Sequence, residues 1–262
     1  MAGKKREGLF YTKTYTCRFC DTPFDWKRLY PTVRGKVERW DEFFDIPVYE
    51  ATDSAGQFGD VLRVEIIVCP ECAFSSNEEK QFITERAAQT WEPQPGVIDF
   101  VRRARAGRVA MAGEAEDLKA FPRSIDDAIV CLKLAIHSAT LIFNADPRAH
   151  AIEAVRLGTH SLKAAQLARQ QEQAERELTW RKAALEYFRR AFEVEIRGLV
   201  HYRAVYQLGA LAIHLSDDQT AARSFAYIKD LEEKEPGKDL HKFVERYKQI
   251  WRDRDFNRAG AR

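Results

Sequence analysis

The sequence predicts a mainly α-helical protein with a small β-containing part at its N-terminal end. Three observations predict this. Four of the five cysteines lie early in the chain, as two Cys-x-x-Cys pairs. Short runs rich in β-branched residues lie between and beside those pairs. From Ser124 onward, apolar residues recur at helical spacing almost to the C-terminal end. With 262 residues and 45% hydrophobic side chains, the chain can hold one large domain or two modest ones.

The cysteine pairs come first. CRFC carries Cys17 and Cys20, and CPEC carries Cys69 and Cys72. Each motif can set two sulfurs on one tight turn. Two such turns brought together offer four soft thiolates in a tetrahedron, the arrangement Zn²⁺ prefers. Cys17, Cys20, Cys69 and Cys72 are therefore read as ligands of a structural Zn²⁺, and residues 1–76 as a zinc-ribbon-like head. Four cysteines fill the coordination sphere and leave no place for a catalytic water. Iron also accepts four thiolates. A redox dithiol would need only one pair, and no βαβ pattern surrounds either. Metal turns usually carry glycine after the second cysteine, where the backbone is left-handed. Here Asp21 and Ala73 stand there. Alanine loses about 1 kcal/mol or more in that conformation, which metal ligation, contributing on the order of 10 kcal/mol, offsets.

The stretch 21–68 between the pairs is too long to be structureless. VERW (37–40) and VLRVEIIV (61–68) read as strands, the second running into CPEC, with DSAGQFGD (53–60) as a hairpin tip. Residues 77–123 read as a helical and loop transition. A helix starts near Asn77, EPQPG (92–96) breaks it, and another follows from Val97. Arg102, Arg103, Arg105 and Arg108 fall mostly off its apolar face and read as a solvated surface.

Residues 124–262 form the helical body. Ser124 caps its first helix, with Asp127 in the first turn, and Ile125, Ile129, Leu132, Ile136 and Phe143 share a face. Asp146-Pro147 stops that helix and restarts another over about 148–169. The polar 171–179 is helical extension or loop. Helices follow over about 180–196, 199–215 and 218–233, the last closed by Pro236-Gly237. A final helix near 240–251 lines up Leu240, Phe243, Val244, Tyr247 and Trp251. Three triplets share one spacing: Ala128/Leu132/Ala135, Ala184/Phe188/Ala191 and Ala221/Phe225/Ile228. That is the second-helix pattern of a tetratricopeptide repeat, where small residues let paired helices close up. Leu208-Gly209 precedes Ala221 at the distance such a repeat requires, although Val205 and Ala212 stand where its aromatic residues belong. A plain helical bundle has the same periodicity.

Other chemistry is sparse. The six histidines have no pair at i, i+4, and Cys131 sits in an apolar helix as a small hydrophobe. No phosphate-cradling glycine loop and no nucleophile elbow occurs. The formal charge is +2, but in residues 1–36 basic residues outnumber acidic ones nine to three. That excess balances an anionic zinc–thiolate centre, and it also admits a nucleic-acid contact. The N-terminal residues lack a signal-peptide apolar run, and the most apolar stretch, 129–143, is short and contains Lys133 and His137, so no membrane association is expected. Cysteines in metal spacing suit a cytoplasmic location.

The order of CRFC, strands, VLRVEIIV into CPEC, and then FPRSIDDAIVCLKLAI (121–136) resembles a bacterial family known as domain of unknown function twenty-two twenty-five. The similarity covers roughly residues 15–235. It implies a double Cys-x-x-Cys segment followed by a tetratricopeptide-like array. This chain departs from the pattern in lacking glycine after each pair and in the DSAGQFGD insertion. The resemblance implies architecture more than activity. The expected function is non-enzymatic: a zinc-binding protein whose helical repeats bind a protein or peptide partner. The alternative is a regulatory nucleic-acid-binding protein that uses the basic head.

Overall fold

A computed structural model describes residues 9–30, 39–40, 47–48, 61–84, 91–194, 198–234 and 237–259. Strand β1 (Phe10–Cys17) pairs antiparallel with β2 (Pro23–Leu29), with Tyr15 opposite Phe24 and Lys13 opposite Trp26. Alternation decides the register. Phe24, Trp26 and Arg28 turn inward while Asp25 and Lys27 face solvent. These two strands were not among the expected elements, although FYTKTYTC alternates as a half-buried strand should. Strand β3 (Arg39–Trp40) pairs with β4 (Pro47–Val48), so the strand end of VERW is present; its first two residues and the DSAGQFGD tip lie outside the described residues.

VLRVEIIV is not one strand. Val61–Val64 is a single helical turn, α1, and only Ile67–Val68 is a strand, β5. A continuous apolar run does not distinguish helix from strand, and burial from several sides suits either. The turn survives because buried arginines take its carbonyls. Arg123 donates to the Arg63 oxygen (2.9 Å) and the Ile66 oxygen (3.2 Å), and Arg28 to the Glu65 oxygen (2.8 Å). Strand β5 pairs with β6 (Ser75–Ser76) across the CPEC turn.

The helix expected from Asn77 is also absent at 77–84. A 3-10 turn (Glu79–Gln81) leads instead into β7 (Phe82–Ile83), which pairs with the far edge of β1, giving the order β2-β1-β7. Phe82 opposite Cys17 is fully buried among Tyr15, Phe24 and Phe74. That aromatic burial outweighs the helix propensity of NEEKQ.

Helices α2 (Pro95–Arg103) and α3 (Arg105–Ala112) follow the proline break. Then comes α4 (Ile125–Ala145), with Ser124 Oγ accepting from the Asp127 amide at 3.0 Å. It is buried on more than its expected face, because α1–α3, β5 and β6 cover one side and the next helix another. The α4 helix is long and apolar enough to cross a membrane by length and composition, and most of it is buried inside the protein. The amide of Ser75 donates to Ser138 Oγ (3.1 Å), joining β6 to α4.

The body continues as α5 (Ala151–Gln170), α6 (Ala174–Glu193), α7 (Leu199–His214), α8 (Asp218–Lys234) and α9 (Lys238–Ala259). Asp146 caps a turn, accepting from the amides of Arg148 and Ala149, and α5 begins just after it. The polar 171–179 divides into a short turn and the start of α6. The α5–α6 and α7–α8 turns are alike. Glu172 and Ser216 take φ 57° and 61°, and the next amide in each, Gln173 and Asp217, donates back five residues at 3.0 and 2.8 Å. The helices approach closely where glycine allows it. A Cβ on Gly158 would lie 2.6 Å from the Phe188 ring, and one on Gly209 2.1 Å from Tyr247. All three small-residue triplets are buried except Phe225, which is half-buried. One hydrophobic core runs from Tyr15 and Phe74 through α4 to Tyr247.

Candidate metal centre

The two Cys-x-x-Cys turns have the same backbone. In the first, the Asp21 amide donates to the Cys17 carbonyl (2.9 Å) and the Cys17 amide to Thr22 O (3.0 Å). In the second, the Ala73 amide donates to the Cys69 carbonyl and the Cys69 amide to Phe74 O, both at 2.9 Å. Asp21 and Ala73 both take the left-handed conformation, φ 58° and 53°. Residues without glycine's freedom thus adopt the metal-turn geometry, at a cost for alanine of about 1 kcal/mol or more. Hairpin β1–β2 carries one turn and hairpin β5–β6 the other, and the Cys17–Phe82 pairing brings the two hairpins together.

This places all four predicted cysteines at one point. Their sulfurs lie within 4.8 Å of one another, and they are the group of metal-ligating type found among the described residues. The closest approaches run across the turns: Cys17 Sγ to Cys72 Sγ at 3.6 Å and Cys20 Sγ to Cys69 Sγ at 3.5 Å. Cys17, Cys69 and Cys72 are buried, and Cys20 is half-buried at the open side, beside the Thr22 hydroxyl (3.3 Å). Four sulfurs this close cannot all ionise unaided. Hydrogen bonds to Cys69 and Cys72, then burial, push the Cys17 thiol far up, whereas donation from Cys17 and Cys69 holds Cys72 low. A bound cation would allow every sulfur to ionise and ligate, so the four cysteines could hold a metal ion.

Three of the four arginines expected on a solvated face hold this cluster; Arg102 and Arg105 are exposed as expected, and Arg108 is not. Arg102 Nε donates to the Phe19 carbonyl (2.7 Å), inside the first turn, with Nη2 3.4 Å from the Asp21 carboxylate. Arg105 reaches the Glu71 carbonyl (3.3 Å) and its carboxylate, inside the second turn. Arg108 is fully buried and donates to the Cys72 carbonyl (3.1 Å) and the Val101 carbonyl (2.7 Å). Arg103 alone bonds back within its helix. The spacing of three between Arg102, Arg105 and Arg108 was the available signal: it keeps them on one side of the α2–α3 pair, the side toward the turns.

The other candidates stay apart. Cys131 is buried in α4, its thiol pushed up by burial, near Arg123 rather than the cluster. His160 is buried in α5, and His201 Nε2 lies 3.0 Å from Tyr227 Oη. Of the basic N-terminal residues, Lys13 pairs with Glu79 at 2.7 Å, and Arg28 is buried and also approaches Glu79. Glu79 is in turn kept ionised by Lys13 and Arg28 against the effect of its own burial.

The model of a family described as an uncharacterized protein conserved in bacteria (DUF2225) matches residues 10–252, a span that contains both cysteine turns, the arginine helices and the body through most of α9. No curated protein and no solved structure matches the chain.

Proposed function

The chain belongs to this bacterial family, and from that premise we propose a non-enzymatic zinc-binding protein whose helical body carries a surface for a protein or peptide partner. The observation that carries the reading is the closed set of four sulfurs within 4.8 Å. Soft thiolates in this number and geometry suit Zn²⁺ in a structural role, with no ligand position left for a reacting water. A bound Zn²⁺ would be held by Cys17, Cys20, Cys69 and Cys72, and it would supply shape rather than chemistry. Free thiols in metal spacing favour the cytoplasm.

The partner role rests on the body. Helix pairs α5–α6 and α7–α8, closed at small residues and followed by α9, resemble tetratricopeptide repeats, whose stacked pairs form an extended binding face. The head, 1–76, and the transition, 77–123, would hold the first body helix in place, and residues 124–262 would present the face. A nucleic-acid role is less well supported, because Lys13 and Arg28 are engaged by Glu79.

Metal analysis of the purified chain is the first test. About one zinc per chain is expected, released by Cys69→Ser and retained by Cys131→Ser. Full zinc retention in Cys69→Ser would sink the four-ligand assignment. For the partner, captured proteins from the native host should be lost when exposed body residues such as Arg203 and Arg223 are replaced by Glu, with zinc content unchanged. Tight RNA or DNA binding with a steep salt dependence would favour the nucleic-acid reading instead.

A further inference from the structure

Arg108 reaches the cysteine cluster from α3 with its side chain fully buried. Nε and Nη1 are both spent on carbonyls, those of Cys72 and Val101. Nη2 is buried and has no hydrogen-bond partner. The guanidinium is a planar fork, so one Nη2 proton runs parallel to the Nε proton and leaves by the same edge, toward the turn that carries Cys72. A buried donor without an acceptor is costly, and a buried cation without an opposite charge is costlier. Among the described residues Arg108 has no carboxylate partner; the charges that attract it belong to Cys72, Cys17 and Cys69. Four thiolates around a divalent cation carry a net double negative charge, which burial would otherwise penalise.

The geometry points to Arg108 as the counter-cation of the loaded centre, its free N–H donating to the Cys72 sulfur and its charge offsetting half of the excess. This rests on the metal-centre reading above. It also gives α3 a reason to dock. The same side chain that neutralises the centre ties the Cys72 turn to the end of α2 through Val101. Partners beyond the ligands themselves orient sulfurs and tune affinity, and losing one typically weakens metal binding by about 10–100-fold.

The test uses the full chain loaded with Zn²⁺ or Co²⁺. Zinc release to a chromophoric chelator should be about 10–100-fold faster in Arg108→Gln than in the unsubstituted protein. Arg108→Lys, which keeps the charge but loses the fork, should fall between, and Arg103→Gln should release at the original rate. In the cobalt form, loss of the N–H···S bond raises the sulfur electrons, so the sulfur-to-cobalt absorption should move to longer wavelength in Arg108→Gln. Arg103→Gln, whose arginine bonds back to Asp99 in its own helix, should leave that band in place. A folded Arg108→Gln with the original release rate and band position overturns the counter-cation role while leaving the four-thiolate centre intact. Should Arg108→Gln not fold, the cobalt band of Arg108→Lys decides, and an unmoved band overturns the N–H···S contact. Failure of the unsubstituted chain to bind either metal overturns the metal centre and this inference together.

Discussion

Around the head, carbonyls outside the strand ladders are satisfied by arginine side chains; in the helical body carbonyls are satisfied inside each helix and its turn. Arg28, Arg123, Arg102 and Arg108 reach the carbonyls of Glu65, Arg63, Ile66, Phe19, Cys72 and Val101. The body closes its helix ends locally, at Glu172 and Ser216, and needs tertiary contacts mainly to bury apolar faces. Apart from the β1–β2 hairpin, the described part of the head has two-residue strands and a one-turn helix, elements too small to hold themselves. It depends on cross-links: a candidate metal, buried guanidinium forks and an aromatic cluster. Removing a single cross-link should therefore cost the head far more than removing a single contact costs the body.

The largest expected effect is on the metal. Cys69→Ser, or chelation of the zinc form, should remove a contribution on the order of 10 kcal/mol and melt the head while far-ultraviolet circular dichroism retains most of the helix signal. Near-ultraviolet signals from Trp26 and the aromatic cluster should collapse with the metal. A parallel loss of helix would mean that the continuous core, which runs through α4, unfolds as one unit and would erase the contrast between the two regions.

The same contrast explains what was legible in the sequence. The four cysteines were readable because spacing alone encodes a metal turn, and the left-handed Asp21 and Ala73 were anticipated from position. Helices α4 to α9 were readable because each carries its own cap or period, as at Ser124 and the Leu240–Tyr247 stripe. Val61–Val64 and Glu79–Ile83 were misread because their conformation is set by partners remote in sequence, Arg123 and β1. Arg102 and Arg105 are exposed, as expected; Arg108 was misread, because charge in a sequence suggests solvent, whereas a guanidinium can serve two carbonyls in an interior.

Arg123 is the next largest effect. It is fully buried, it donates to Arg63 O, Ile66 O and Leu118 O, and its guanidinium lies 4.9 Å from the Trp26 ring and 4.7 Å from that of Phe121. Arg123→Met leaves those carbonyls unpaired and should destabilise the protein, in urea unfolding, by about 1–3 kcal/mol for each carbonyl that finds no other donor. Arg123→Lys should recover little, because an ammonium cannot reach three carbonyls from one plane. Recovery by lysine to near the original midpoint would mean that charge, not the fork, matters there.

Within the body, one added carbon makes a smaller test. Gly209→Ala gains about 1 kcal/mol of helix propensity but drives a methyl into Tyr247, whose hydroxyl donates to Ala221 O at 2.6 Å and cannot easily yield. Overpacking of this kind costs about 1–3 kcal/mol, so a net loss is expected. Gly107→Ala in α3, where the added carbon meets nothing within 4 Å, should instead stabilise by up to about 1 kcal/mol. Equal shifts in both variants would remove the close approach of α7 and α9 as a source of body stability.

The smallest effect separates the two regions by pH. α5 carries a polar row facing the head and the start of the transition: Glu153 accepts from Gln81 Nε2 at 3.0 Å, Arg156 approaches Glu78 at 3.6 Å, and Lys163 meets Glu65 at 2.6 Å. His160 lies within this row, and burial, then Lys163 and Arg156, hold its folded pKa well below the usual value. Above about pH 6.5 the imidazole is neutral in both states and adds no pH slope. As pH falls through that value the unfolded chain takes the proton and the native one does not, so stability drops by up to about 1.4 kcal/mol per unit. Glu153 works in the other direction. Burial raises its folded pKa above the ordinary carboxylate value, so between those two values the native state holds the extra proton and stability falls as pH rises. The two slopes oppose each other where their windows overlap. His160→Gln should therefore flatten the acid loss of stability, and Glu153→Gln should steepen it, in urea titrations followed by the helix signal from pH 7.5 to 5. Any acid sensitivity of the four-cysteine cluster is common to all three proteins, so it cancels in the differences. If all three slopes ran parallel, the buried row would not titrate with folding, and acid sensitivity would belong to the head alone.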